Sequence, residues 1–179
     1  MKSTEDMTLE KLKALIRTIP NFPKPGILFR DITPLLQDGE SFRFAVDRLA
    51  DTLREGSVTK VVSVEARGLI FGGALAYRLG IGMIPVRKRG KLPWETFRKS
   101  YALEYGQDAL EIHRDAIAPG DRVLIVDDLL ATGGTVRAAI DLVEGLQGQV
   151  AGIVCLIELT EFRGRDRLKG YPLSSLIQF

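Results

Sequence analysis

Apolar positions along this chain fall into two patterns, one helical and one strand-like. Leu9, Leu12, Leu15, Ile16 and Ile19 recur at helical spacing, and Pro20, Pro23 and Pro25 end that helix in a stiff, extended segment. Phe42, Ala45, Val46, Leu49 and Leu53 predict a second amphipathic helix, closed by Gly56. Beyond it the pattern changes. Short runs at Val61 to Val64, Met83 to Val86, Val123 to Val126 and Ile153 to Ile157 lack alternating polar residues, as expected of strands covered on both faces. Helical stretches separate them: Arg67 to Leu79, nearly all apolar, and Gly133 to Leu146, with Val136, Ala139, Ile140, Val143 and Leu146 on one face. This alternation predicts an α/β fold with a parallel sheet and helices on both sides. Residues 87 to 112 interrupt it. There Tyr101, Leu103 and Tyr105 alternate with smaller or charged residues before Gly106, and Leu110 and Ile112 resume, which predicts a hairpin thrown out from the sheet.

A chain of 179 residues fills one hydrophobic core more readily than two, so a single domain over 1–179 is expected. Hydrophobic residues at 45% and charged residues at 27% give no reason to expect long disorder. The 25 Lys and Arg nearly cancel the 23 Asp and Glu, which argues against a general nucleic-acid binder and makes any anion site local. No apolar run reaches membrane-spanning length, and MKSTEDMTLE carries acids where a signal peptide would be basic and then greasy. Cys155, the single cysteine, sits in an apolar run and reads as buried filler. A cytoplasmic protein without membrane or nucleic-acid partners is expected.

The most informative stretch is VLIVDDLLATGGT, Val123 to Thr135: a buried strand that ends in two adjacent acids and passes through a Gly/Thr loop into a helix. In open α/β sheets ligands collect at the carboxyl ends of strands, where loops lead into helix N-termini. Gly133 and Gly134 let the backbone approach a phosphate, Thr132 and Thr135 offer hydroxyls, and the helix end faces an anion with about +0.5 charge. Asp127 and Asp128 repel phosphate, so beside such a cup they grip sugar hydroxyls or support a hydrated magnesium ion. Together these features predict a site for ribose phosphate. Helix capping requires neither the second acid nor the paired threonines. The ATP-type loop needs a Lys where Gly134 stands, and the spaced glycines of the dinucleotide fingerprint are missing.

A second strand-to-helix corner, Glu65-Ala66-Arg67-Gly68, offers backbone donors and a guanidinium for another phosphate; by itself a surface ion pair with a turn glycine explains it equally well. RKRGKLPWETFRK, residues 87 to 99, places six basic residues among thirteen around Gly90 and Pro93. It reads as a mobile basic loop, and as a lid if pyrophosphate leaves during the reaction. His113, the only histidine, follows the hairpin and is given no catalytic role.

VLIVDDLLATGGT, EARG and RKRGKLP followed by YALEYG resemble the type I phosphoribosyltransferases. So do FPKPGILFRDITPLL at 22 to 36 and GRDRL at 164 to 168, so the likeness covers nearly the whole chain. It implies a doubly wound, mainly parallel five-stranded sheet with helices on both faces, a small N-terminal hood over about 1–36 and a protruding flexible hairpin loop over about 87–112. The hood and LEYG narrow the likeness to members that use adenine. It further implies transfer of the phosphoribosyl group from 5-phosphoribosyl 1-pyrophosphate (PRPP) to adenine, giving AMP and pyrophosphate, in a homodimer that uses Mg²⁺ without a direct protein ligand. By the same resemblance Asp127 and Asp128 meet the ribose hydroxyls and support Mg²⁺, while Ala131, Thr132, Gly133, Gly134 and Thr135 surround the 5′-phosphate. Glu65, Ala66, Arg67 and Gly68 meet pyrophosphate with help from Arg87, Lys88 and Lys91. Leu28, Phe29 and Arg30 read adenine, and Glu104 moves its proton. Relatives acting on 6-oxopurines carry an Asp where Ala131 stands and a Lys near the base, and no Lys occurs between Ala151 and Leu159. Trp94 and Phe162 depart from the family pattern. Two alternatives stay open at this point: transfer to another base, and a non-catalytic purine-sensing regulator on the same fold.

Overall fold

The computed structural model describes residues 7–54, 56–103 and 106–179. The chain forms two compact units, one ending at Arg48 and one running from Leu49 to Phe179.

In the first unit, helix α1 (Leu9–Ala14) is capped by Thr8, whose hydroxyl accepts a hydrogen bond from the Lys11 N–H at 3.3 Å. The helix stops sooner than the apolar spacing suggests: Ile19 lies instead in strand β1 (Arg17–Pro20), antiparallel to β2 (Leu28–Asp31). Tertiary pairing overrides the periodicity here, because Ile19 stands opposite Phe29. The turn between them uses Asn21 at φ 59°, with its side-chain oxygen accepting from the Gly26 N–H at 2.9 Å. Asp31 is buried and accepts from Thr33 N–H at 2.9 Å and Arg17 Nε at 3.1 Å, which fixes the start of α2 (Thr33–Gln37). Asp38 caps helix α3 (Gly39–Asp51) through the Ser41 N–H at 2.9 Å. Ala45, Val46 and Leu49 are buried on α3 as their spacing predicts, although Phe44 rather than Phe42 completes that face.

The second unit is built on one seven-stranded sheet. Its elements in chain order are β3 (Lys60–Val64), α4 (Gly68–Leu79), β4 (Gly82–Lys88), β5 (Thr96–Leu103), β6 (Gly106–His113), β7 (Arg122–Leu130), α5 (Gly134–Gly145), β8 (Gln149–Glu158) and β9 (Leu173–Gln178). Spatially the order is β5-β6-β4-β3-β7-β8-β9. The five strands from β4 to β9 run parallel, and the β5–β6 hairpin extends that sheet antiparallel through Arg87↔Glu111 and Lys88↔Leu110. The hairpin expected at 87–112 is therefore present, although β4 continues through Lys88 and β5 begins at Thr96, so much of the basic segment is strand.

Helices cover both faces because the inner strands are apolar on both. On β3, Val61 and Ser63 face α4: an extra carbon on Gly72 would collide with Ser63, so helix and strand touch almost backbone to backbone. Val62 and Val64 point the other way, into a core with Ile125, Val136, Ile140 and Val143 beneath α5. At roughly 1.5–3 kcal/mol per buried aliphatic side chain, these two layers hold β3 and β7 in place. The strand order reverses between β3 and β7, since β3 leads outward to β4 and β7 leads outward to β8. Such a reversal opens a crevice at the carboxyl ends of the two strands.

Candidate active site

At that crevice β3 runs into Glu65-Ala66-Arg67-Gly68 and its neighbour β7 runs into Asp127 and Asp128. Separate in sequence, the two corners are bonded in space: Arg67 Nε stands 2.7 Å from Asp128 Oδ2. That oxygen is buried and otherwise receives no hydrogen bond among the described residues, so it retains capacity for an incoming donor. Gly68 makes the approach feasible. A side-chain carbon there would lie 2.9 Å from Asp127 Oδ1 and 3.2 Å from Asp127 Cα. The Glu65–Ala66 peptide is cis.

Both acids are buried, and Asp127 Oδ1 accepts from the Asp128 N–H at 2.9 Å. Burial, reinforced by the neighbouring carboxylate, pushes Asp127 well above the usual carboxylate range. Burial also raises Asp128, against the pull of the Arg67 guanidinium. Such a pair gains most from a ligand that brings hydroxyl donors or positive charge.

Beyond the acids the chain turns through Ala131 and Thr132 to Gly133, which adopts φ 79° as the N-cap of α5. Gly133 itself is buried, while Ala131, Thr132, Gly134 and Thr135 are half-buried. The first turn of α5 holds no acid and Gly133 provides no capping side chain, which leaves the helix N–H groups available to an anion. The loop thus presents a helix N-terminus, with the acid pair at the end of the strand before it.

The basic segment closes the other side of the β3 corner. Glu65 Oε2 accepts from Arg87 Nε at 3.0 Å and from the Lys88 N–H at 3.2 Å, and Arg87 Nη1 donates to the Lys91 carbonyl at 3.0 Å. Lys88 pairs with Asp108 at 3.2 Å. Glu111 is buried, binds Arg98 at 2.7 Å and accepts from the Gly90 N–H at 2.9 Å, which anchors the base of the hairpin. Tyr101 on β5 donates through its hydroxyl to Asp108 at 3.5 Å. Glu104 lies outside the described residues.

Leu28, Phe29 and Arg30 lie on β2 of the first unit. Phe29 meets Phe22 edge to face at 5.0 Å, Leu28 is exposed, and Arg30 binds the Thr18 hydroxyl. A cleft of about 270 Å³ lined by Arg54, Ser57, Gly152 and Ser174 lies at the amino ends of β8 and β9. It is at the opposite end of the strands from the acids, so we assign the chemistry to the crevice, where the charged groups converge.

A doubly wound sheet carrying this acid-and-glycine loop at its switch point defines a class that handles phosphorylated ribose, and residues 35–175 match the family model described as the phosphoribosyl transferase domain. Adenine phosphoribosyltransferase from Clostridium perfringens (strain SM101 / Type A) is 58% identical over 168 residues, covering 94% of this chain and 98% of the relative. The crystal structure of adenine phosphoribosyltransferase from Thermoanaerobacter pseudethanolicus superposes with a TM-score of 0.94 at 55% identity, covering 96% of this chain and all of that one (100%). The Saccharomyces cerevisiae enzyme, solved with an imino-altritol bisphosphate and adenine, gives 0.88 at 40% identity, covering 94% of this chain and 97% of that one. The chain belongs to the adenine phosphoribosyltransferase family.

Proposed function

We propose that this chain transfers the phosphoribosyl group of PRPP to adenine, releasing AMP and pyrophosphate. The observation that carries the reading is the 2.7 Å bond between Arg67 and Asp128, which joins an anion-binding corner to the acid loop at the switch point.

In the reaction the bond from C1′ to the pyrophosphate oxygen breaks, the bond from adenine to C1′ forms, and adenine loses a proton. Asp127 and Asp128 accept from the ribose hydroxyls. Their ionised forms, disfavoured by burial in the free protein, are drawn out as positive charge develops on the sugar. Ala131 to Thr135 hold the 5′-phosphate through backbone N–H groups and hydroxyls. Arg67, the Glu65 to Gly68 backbone, Arg87, Lys88 and Lys91 receive the charge that leaves with pyrophosphate. Glu104 takes the adenine proton. Leu28 and Arg30 read the edge of the base through main-chain groups, and Phe29 packs on its ring. The protein thus contributes orientation and electrostatics and no covalent nucleophile.

Mg²⁺ fits this donor set as a hydrated ion. Among the described residues no three carboxylates, histidines or cysteines form a metal cage, and two neighbouring carboxylates suit an ion held mainly by water and substrate oxygens. When bound, it neutralises charge on the pyrophosphate and ribose oxygens. A homodimer is supported by one face of α4, where Ile70 and Tyr77 are 43% and 91% exposed, and by exposed Met83 at the start of β4. Cytoplasmic residence agrees with the single buried Cys155, whose thiol donates to the Ser174 carbonyl at 3.8 Å. Among the described residues no helix is long and apolar enough to cross a membrane.

The test is incubation with PRPP, Mg²⁺ and an equimolar mixture of adenine, hypoxanthine, guanine, xanthine and orotate, followed by identification of the nucleotide. AMP as the dominant product is expected; another nucleotide, or none, overturns the reading.

A further inference from the structure

The phosphate loop is backed by a second stretch of main chain. After β8 the chain makes two 3-10 turns, Thr160–Phe162 and Gly164–Leu168, joined at Arg163 with φ 53° and ψ 36°. That left-handed joint delivers Gly164, which is buried, against the loop. A side-chain carbon on Gly164 would collide with the Ala131 carbonyl and lie 3.1 Å from Gly133 N, while one on Gly133 would lie 2.7 Å from the Gly164 carbonyl. The two segments therefore meet with backbone against backbone, at Ala131 and Gly133 of the loop.

The next residue locks this contact. Arg165 grips Glu158 with two nitrogens, Nε to Oε1 at 2.7 Å and Nη2 to Oε2 at 2.8 Å, a planar fork that Lys cannot reproduce. Glu158 is 4% exposed and also accepts from the Ser175 hydroxyl at 2.6 Å. Arg165 further donates to the Leu173 carbonyl at 3.1 Å. Glu158 ends β8 directly opposite Leu130, the last residue of β7 before the loop, and the Leu159 N–H donates to the Leu130 carbonyl at 2.9 Å. The same strand end thus supports the front of the loop through β7 and its back through Gly164.

We infer that Gly164, Arg165 and Glu158 are positioning residues for the substrate's 5′-phosphate: the Glu158–Arg165 pair presses Gly164 against Ala131–Gly133 and so sets where the loop N–H donors point. The inference rests on the proposal that residues 131–135 hold that phosphate. A pair serving stability alone would weaken all ligands together; one serving the loop selectively weakens those that carry the phosphate.

The experiment compares binding of AMP and adenosine by calorimetry in wild type, Gly164→Ala and Arg165→Lys, with melting temperature as the check on folding. Gly164→Ala is expected to weaken AMP about ten- to a hundredfold while leaving adenosine within about twofold, because a misplaced donor costs only the group it serves. Arg165→Lys, which keeps the charge and loses the fork, shows the same selectivity to a smaller degree, and it carries the test if Gly164→Ala does not fold. Wild type binding AMP no tighter than adenosine would remove the phosphate-loop proposal itself. A wild-type preference for AMP that the folded variants retain, or equal losses for both ligands, overturns the inference alone.

Discussion

Replacing Asp128 with Asn separates what the acid pair contributes to folding from what it contributes to chemistry. The exchange keeps the shape and removes one negative charge. For folding, the direction follows from the raised position of Asp128: burial outweighs the attraction of Arg67, so the folded protein holds the proton more tightly than the unfolded chain. A carboxylate raised in this way contributes its stability at low pH and loses it as pH rises through the folded value. The variant escapes that loss, and its melting temperature at pH 8 should match or exceed that of wild type, with the advantage shrinking toward pH 4. For chemistry, Asp128→Asn weakens a charged hydrogen bond to a ribose hydroxyl, of order 1.5–3 kcal/mol, which corresponds to a fall of about 10- to 150-fold in kcat/KM. Arg67, with a third of its side chain exposed, keeps access to water in the variant. The assay is AMP formation at saturating Mg²⁺ and PRPP, paired with thermal melts from pH 4 to 8. Turnover within about threefold of wild type would refute the ribose role, because a transition-state contact cannot be lost without a rate effect.

Other outcomes follow from the same geometry. Gly68→Ala places a carbon 2.9 Å from Asp127 Oδ1 and should cost about 1–3 kcal/mol of stability together with activity, so an unchanged melt would show that the two strand ends are not tightly apposed. Hydrogen bonds from Arg165 hold Glu158 below the usual carboxylate range, so its contribution is present above the unfolded pKa of about 4.3 and is lost as pH falls through the lower folded value. Glu158→Gln should therefore melt below wild type by a constant margin from pH 8 to 5 and converge with it in stronger acid; a margin that persists unchanged into strong acid argues against the ionised pair. Chelating Mg²⁺ should abolish AMP formation without shifting the melt of substrate-free protein, and a large shift would reveal a protein-only metal site.

The parallel core was readable because β3, β7 and β8 are buried on both faces, which forces continuous apolar runs. β9 was not. It lies at the sheet edge and reads Leu-Ser-Ser-Leu-Ile-Gln, whose serines carry no strand signature. Ile19 misled in the opposite sense, because its helical spacing yields to pairing with Phe29 across a hairpin. At the candidate site, the strand-to-helix corner that carries Asp127, Asp128, Gly133 and Gly134 was legible, since an apolar run gives way there to acids and glycines. Gly164 was not, since its role is a main-chain contact with a distant segment, and Glu158 gave no sign that Arg165 would hold it almost fully buried.

Because Gly68, Gly133 and Gly164 each approach a neighbouring segment too closely to carry a side-chain carbon, these three points of the crevice cannot be gradually retuned by substitution. Mutational tolerance there should be all or none: hydrogen is accepted and any carbon is penalised. Laboratory evolution toward a larger or differently branched sugar would therefore have to shift whole backbone segments rather than exchange single residues.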